Sequence, residues 1–274
     1  MTAGMTLRRA LRSEAVRLRR SALVPLHLAL AAGLGVAAGL YFSYAAWDSL
    51  LGADAFFQLV GAGAPLLAGI SCGLAADAER EAGGFANVLG APSRRVALAA
   101  KGIVLFTLGV GAALVAAGLF LALVAGAGRT VPALPWCAGA TGGLALGGAA
   151  LYAGFLWVAM RFGRNASVGL GALGLIVAMA SLGGLANGLV TGTLSGSFGA
   201  KAAFVLPVCW PSRLASIAIE LGICGPLGAD AQTTAALTGA LGRFAVVSAV
   251  GAGVLSAVLL VRANRFEDRR HAAE

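Results

Sequence analysis

Ser71 lies in Gly-Ile-Ser-Cys-Gly at 69–73, which matches the G-x-S-x-G pattern of nucleophile elbows, and His27 could act as its base. The pair would make an intramembrane serine hydrolase, with the imidazole taking the hydroxyl proton. That pattern has catalytic meaning on a strand-to-helix turn. Here it falls inside a helical apolar run, in a chain with 41 glycines among 274 residues, where chance matches are common. His27 reads more simply as a polar residue near one end of an apolar segment, bonded to a neighbouring helix. No metal chemistry is expected either. The four cysteines (Cys72, Cys137, Cys209, Cys224) have no ligand spacing, and only His27 and His271 could join them. No G-x-x-x-x-G-K-[ST] occurs, so the chain offers no phosphate-cradling loop of its own.

The elements that must carry these residues follow from composition. The chain is 59% hydrophobic and 11% charged, with mean hydropathy +0.89, against about 25% charge in ordinary globular chains. It reads as an all-α membrane protein. Each span needs roughly 20 mostly apolar residues, and six fit, at 23–44, 56–76, 103–127, 138–160, 167–190 and 244–261. Glycines are tolerated there because small residues let helices approach. Gly139, Gly143 and Gly147 form such a ladder in the fourth span.

Six spans place most of the arginines on one side: Arg8, Arg9, Arg12, Arg17, Arg19 and Arg20, then Arg80, Arg94, Arg95 and Lys101, then Arg161 and Arg164, then four between 262 and 270. The other side holds Arg129, Lys201, Arg213 and Arg243. The positive-inside rule therefore predicts both termini in the cytosol. The net charge of +9 is then a mark of topology, and no nucleic-acid partner is expected. Arg243, near the outer end of the last span, is the closest approach to a deep ionisable group, which disfavours a gradient-driven carrier.

Residues 1–20 read as a basic interfacial helix, with Leu7, Leu11 and Leu18 on one arc and arginines opposite. Glu14 falls near the leucine arc. A six-helix transmembrane domain spans 21–262, with a cytosolic tail at 263–274. The outer loop at 191–235 contains Trp210 between Pro207 and Pro211, then Leu214, Ile217 and Leu221 at helical spacing. A short helix on or dipping into the outer leaflet is expected there, with Trp210 and Arg213 as candidate substrate-facing residues. Cys209 with Cys224 is a conceivable disulfide on that side.

The inner loop at 77–102 concentrates charge. Asp77, Glu79, Arg80 and Glu81 leave the membrane, Gly83 and Gly84 break the helix, Phe85, Val88 and Leu89 offer an apolar patch, and Pro92 and Ser93 start a new helix. A short helix lying parallel to the membrane, suited to a groove on a soluble partner, is expected.

These residues resemble a known family. Glu79, Gly83, Phe85 and Leu89, followed by Pro92-Ser93-Arg94 and Lys101, look like the first cytosolic loop of ABC-2-type transporter permeases, and more narrowly of lantibiotic-immunity permeases. Pro207 to Leu214, in P-V-C-W-P-S-R-L, is similar to the pattern before that family's last span, and the basic start followed by His27-Leu28 also fits. The resemblance implies a multi-pass subunit of the bacterial cell membrane that pairs with a second permease subunit and with cytosolic nucleotide-binding ATPases. It implies that the loop between helices 2 and 3 is a coupling helix whose Glu79, Glu81, Gly84, Phe85, Leu89, Pro92 and Arg94 contact the ATPase. It also implies that the chain is not itself an enzyme and binds no cofactor, ATP and Mg residing on the partner, and that it expels a cationic antimicrobial peptide for self-immunity. Export of another drug or lipid is the alternative within the class. The chain departs from many members in its abundance of Ala and Gly.

Overall fold

The computed structural model describes residues 5–182, 189, 192–194 and 200–263. All regular elements among them are helical: α1 (Leu7–Arg19), α2 (Leu23–Tyr44), α3 (Ser49–Glu81), α4 (Ala86–Leu89), α5 (Arg94–Gly126), α6 (Leu134–Phe162), α7 (Arg164–Leu182), α8 (Ala200–Val205), a single 3-10 turn (Pro207–Cys209), α9 (Trp210–Ile223) and α10 (Ala231–Ala263). Six of these, α2, α3, α5, α6, α7 and α10, are long and apolar enough to cross a bilayer. The expected all-α, six-span architecture of a multi-pass membrane protein is thus present. The far end of the fifth predicted span and the 264–274 tail lie outside the described residues.

Several spans run longer than expected. Thirty-three residues in each of α3, α5 and α10 make rods of about 50 Å, well beyond a hydrocarbon core of about 30 Å. Local signals set their ends. Asp48 caps α3 by accepting from the Leu50 and Leu51 amides at 2.8 and 3.1 Å, and Ser93 caps α5 by accepting from Val96 at 3.4 Å. The α3 start at Ser49 precedes the predicted boundary because Asp54 and Gln58, which lower the apolarity of that stretch, are helical and buried.

Small residues decide which helices touch. Ser167 in α7 donates to the Gly69 carbonyl of α3 at 2.8 Å, an approach that a larger residue at 69 would block. The expected glycine ladder in α6 is a packing seam whose partner is α9. A Cβ at Gly147 would lie 2.5 Å from the Pro211 nitrogen, and one at Gly143 would lie 2.8 Å from the Leu214 carbonyl carbon. Across the seam, a Cβ at Gly61 of α3 would lie 2.3 Å from Ser212 Cα. So α9 is clamped between α3 and α6, and most of its side chains are buried.

Of the two expected placements, on the membrane surface or dipping into it, the first is excluded: α9 packs inside the bundle. The start of α9 is level with the middle of α6, and its end reaches Gly222, packed on Trp136 near the start of α6. The helix therefore re-enters the bundle from the end opposite the arginines. Cys209 and Cys224 are unpaired thiols. They flank α9 fifteen residues apart, about 22 Å along its axis, far beyond the reach of a disulfide.

Gly147→Val should expel α9 from its seam, because the contacts are backbone and cannot yield. We expect a cost of about 1–3 kcal/mol, and faster maleimide labelling of Cys209, which is wholly buried. Unchanged labelling would mean that the seam is looser than the geometry requires.

Candidate functional site

The basic ends of α1, α3 and α5 meet at one buried charge network. Glu79, in the last turn of α3, receives Arg17 of α1 at 2.7 Å and Lys101 of α5 at 2.8 Å on one oxygen. Its other oxygen accepts from the Asn87 amide of α4 at 3.1 Å. Glu14 of α1 pairs with Lys101 at 2.8 Å and with Arg17 at 2.9 Å. Two acids and two bases thus balance. Partial burial works against the Arg17 charge, but hydrogen bonding and attraction to Glu79 and Glu14 outweigh it and raise its pKa above the usual guanidinium value. Glu14 falls near the leucine arc of α1 because that arc faces α5 and its lysine.

A second pair set pins the neighbouring helix: Asp77 of α3 binds Arg164 of α7 at 2.9 Å. Arg161 and Arg262 in the last turns of α6 and α10, and Arg164 at the start of α7, lie at the same end of the bundle as these junctions, as the topology requires.

From this anchored base the chain between α3 and α5 makes a tight loop. Gly83, Gly84 and Phe85 all have positive φ, at 110°, 60° and 63°. A left-handed phenylalanine is costly and persists only where surroundings enforce it. The enforcement is visible. The Phe85 amide donates to the Glu79 carbonyl at 3.0 Å, its ring is fully buried, and the Arg80 guanidinium lies 5.2 Å from the ring centroid. The four-residue α4 follows, with Val88 turned inward.

The seven residues expected to touch a partner therefore divide. Glu81 and Pro92 are exposed, and Gly84, Leu89 and Arg94 are half-buried. Glu79 and Phe85 are buried, with 3% and 0% of their surface accessible. That corrects their assignment: both shape the loop from beneath, because a carboxylate holding two cations and an amide has nothing left to offer outward. The exposed rim also includes Asn87, which the sequence did not single out.

Deeper in the bundle, Trp210 and Arg213 are also buried, at 4% and 1%, so neither side chain lies on an outer face of the chain. The Trp210 indole donates to the Phe204 carbonyl at 3.0 Å, and Arg213 donates to the Ser181 carbonyl of α7. Arg213 belongs to a polar cluster. Ser216 donates to Asp54 at 2.6 Å, the Gln58 amide donates to Asp54 at 2.7 Å and to Ser216 at 3.1 Å, and the carboxylates of Glu220 and Asp54 attract the guanidinium. Deep ionisable groups are thus present, contrary to the sequence expectation. The signals were the i, i+4 spacing of Asp54 and Gln58, and of Ser216 and Glu220, each pair sharing one helix face.

Ser71 and His27 do meet, Ser71 Oγ lying 2.9 Å from His27 Nε2. The Leu23 carbonyl, 2.8 Å from Nδ1, places the ring proton on Nδ1 and leaves Nε2 as an acceptor. The Ser71 hydroxyl is also 2.6 Å from the Leu67 carbonyl, so one proton is shared between two acceptors. Both residues are wholly buried, and the amides around Ser71 are committed to the α3 ladder, so they provide no oxyanion donors. The arrangement ties α2 to α3, as a helix-bonding histidine would.

No family model, no curated protein and no solved structure matches the chain.

Proposed function

We propose that the chain is the membrane-spanning subunit of an ATP-driven exporter. The observation that carries this reading is the α3–α5 loop: a short loop with an exposed rim at Glu81, Asn87 and Pro92, seated on a buried charge network that joins three helices. A loop built this way can receive a push from a soluble partner and pass it to the bundle. In this reading the arginine-rich end faces the cytosol, α1 lies at the membrane surface as an interfacial helix, and α4 is the coupling helix. A partner ATPase supplies ATP and Mg, and a second permease subunit completes the pathway. The resemblance of the loop and of residues 207–214 to ABC-2 permeases of lantibiotic immunity supports a cationic membrane-active peptide as substrate, with another drug or lipid as the alternative cargo.

A gradient-driven carrier is the second reading, and the buried Asp54 and Glu220 favour it. Co-purification in mild detergent separates the two. An exporter subunit should bring down a nucleotide-binding ATPase, and Glu81→Lys with Pro92→Glu should reduce that recovery at least tenfold while leaving thermal stability unchanged, since both residues are exposed. Isolation of the chain alone, in detergent that preserves known complexes, would sink the exporter reading.

A further inference from the structure

An apolar cavity of about 200 Å³ lies between α2, α3, α5 and α6. It exceeds the roughly 150 Å³ apolar cavity that holds benzene. Its lining runs over residues 27–34 of α2, 60–70 of α3, 106–116 of α5 and 141–152 of α6. Ten residues of helix rise about 15 Å, so the cavity is a slot parallel to the helix axes.

The slot has a defined depth. The 22-residue α2 matches a bilayer core of about 30 Å, and His27 to Leu34 occupy its half nearer the arginines. On α2 the slot therefore runs from near the arginine-rich end to mid-helix, while on α3, α5 and α6 its lining is centred on the helix. It opens sideways: Leu30 lines the slot and is half exposed on the flank of the bundle.

Two glycines keep it open. A Cβ at Gly63 of α3 or Gly148 of α6 would meet nothing within 4 Å, although Gly148 is buried. Packing does not require glycine at either position, and both weaken their helices. Water is a poor occupant, because the few polar groups at the slot already have partners: His27 is bonded to Leu23 and Ser71, and Thr141 to Cys137.

Charge selects the occupant's head. The exposed Arg19 and Arg20 lie at the α1–α2 turn, and His27 lies four residues, about 6 Å of helix rise, beyond the start of α2 that follows this turn. The Leu18 side chain packs on the same apolar cluster as Tyr152 and Phe106, which line the slot. We propose that the slot is a binding site for one acyl chain of an anionic glycerophospholipid from the leaflet at the arginine-rich end, its phosphate meeting Arg19 and Arg20.

The test is native mass spectrometry of the full chain in mild detergent, titrated with palmitoyl-oleoyl phosphatidylglycerol or with its phosphatidylcholine counterpart. The wild type should retain one phosphatidylglycerol at concentrations at least tenfold below those needed for phosphatidylcholine. Gly148→Leu should fill the slot and abolish that retention while its melting temperature in lipid-free detergent stays level or rises. Gly63→Val provides the same test if Gly148→Leu melts early. Arg19→Gln with Arg20→Gln should keep a bound lipid but erase the headgroup preference. A slot-filling variant that melts normally and still retains the lipid, or a wild type that retains none, overturns the proposal. The readout needs no ATPase, so it stands or falls independently of the exporter reading.

Discussion

Replacing Glu79 with glutamine is expected to cost about 3–5 kcal/mol, the range for removing one partner from a buried ion pair. The carboxylate is 3% exposed and holds Lys101, itself 7% exposed, at 2.8 Å. Once it is neutral, the lysine keeps only Glu14, and Arg17 loses its shorter contact. The Arg17 pairing contributes less, because that side chain is 38% exposed and its interactions are screened. Unfolding in mixed dodecyl-sulfate micelles would measure the loss. Lys101→Met added to Glu79→Gln should recover more than half of it, since the double variant no longer buries an excess cation. If the two losses simply add, the network is a set of independent contacts and the anchoring account of the loop is wrong.

Arg213→Met should be comparably damaging, again about 3–5 kcal/mol, in the middle of the bundle. The guanidinium is 1% exposed, links α9 to the Ser181 carbonyl of α7, and is attracted by Glu220 and Asp54. Methionine fills much of the same volume, so the loss measured is charge and hydrogen bonding rather than a cavity. Asp54→Asn in the same chain should restore part of it, because one fewer carboxylate then lacks its cation. A single variant as stable as wild type would show that Arg213 does not hold α9 in the bundle.

The sequence revealed the helices more readily than their uses. Six apolar runs, the Gly83–Gly84 break and the Ser93 start are local signals, and each has its counterpart among the described residues, with longer helices at three of the runs. The insertion of α9 was not legible, because its apolar positions fit a surface helix as well as a buried one. Only the matching seam of Gly61, Gly143 and Gly147 on two distant helices decides between them. Glu79 and Phe85 are expected from the sequence on the exposed face of their loop and lie beneath it. Their partners, Arg17 and Lys101, lie 62 residues before and 22 residues after Glu79, and pairing across such separations has no local pattern. Asp54 is hard to recognise in sequence because a lone acid two residues before an apolar run looks like a boundary, whereas Asp48 is the residue that caps α3.

One helix touches both buried polar centres. Asp54 and Glu79 are 25 residues apart on α3, about 38 Å of continuous rod. Between them Pro65 lacks an amide hydrogen and interrupts the ladder at one point, where Gly171 and Gly174 of α7 press against it. α3 is therefore a single rod joining the two polar centres, and its one missing ladder bond sits where α7 packs closely against it.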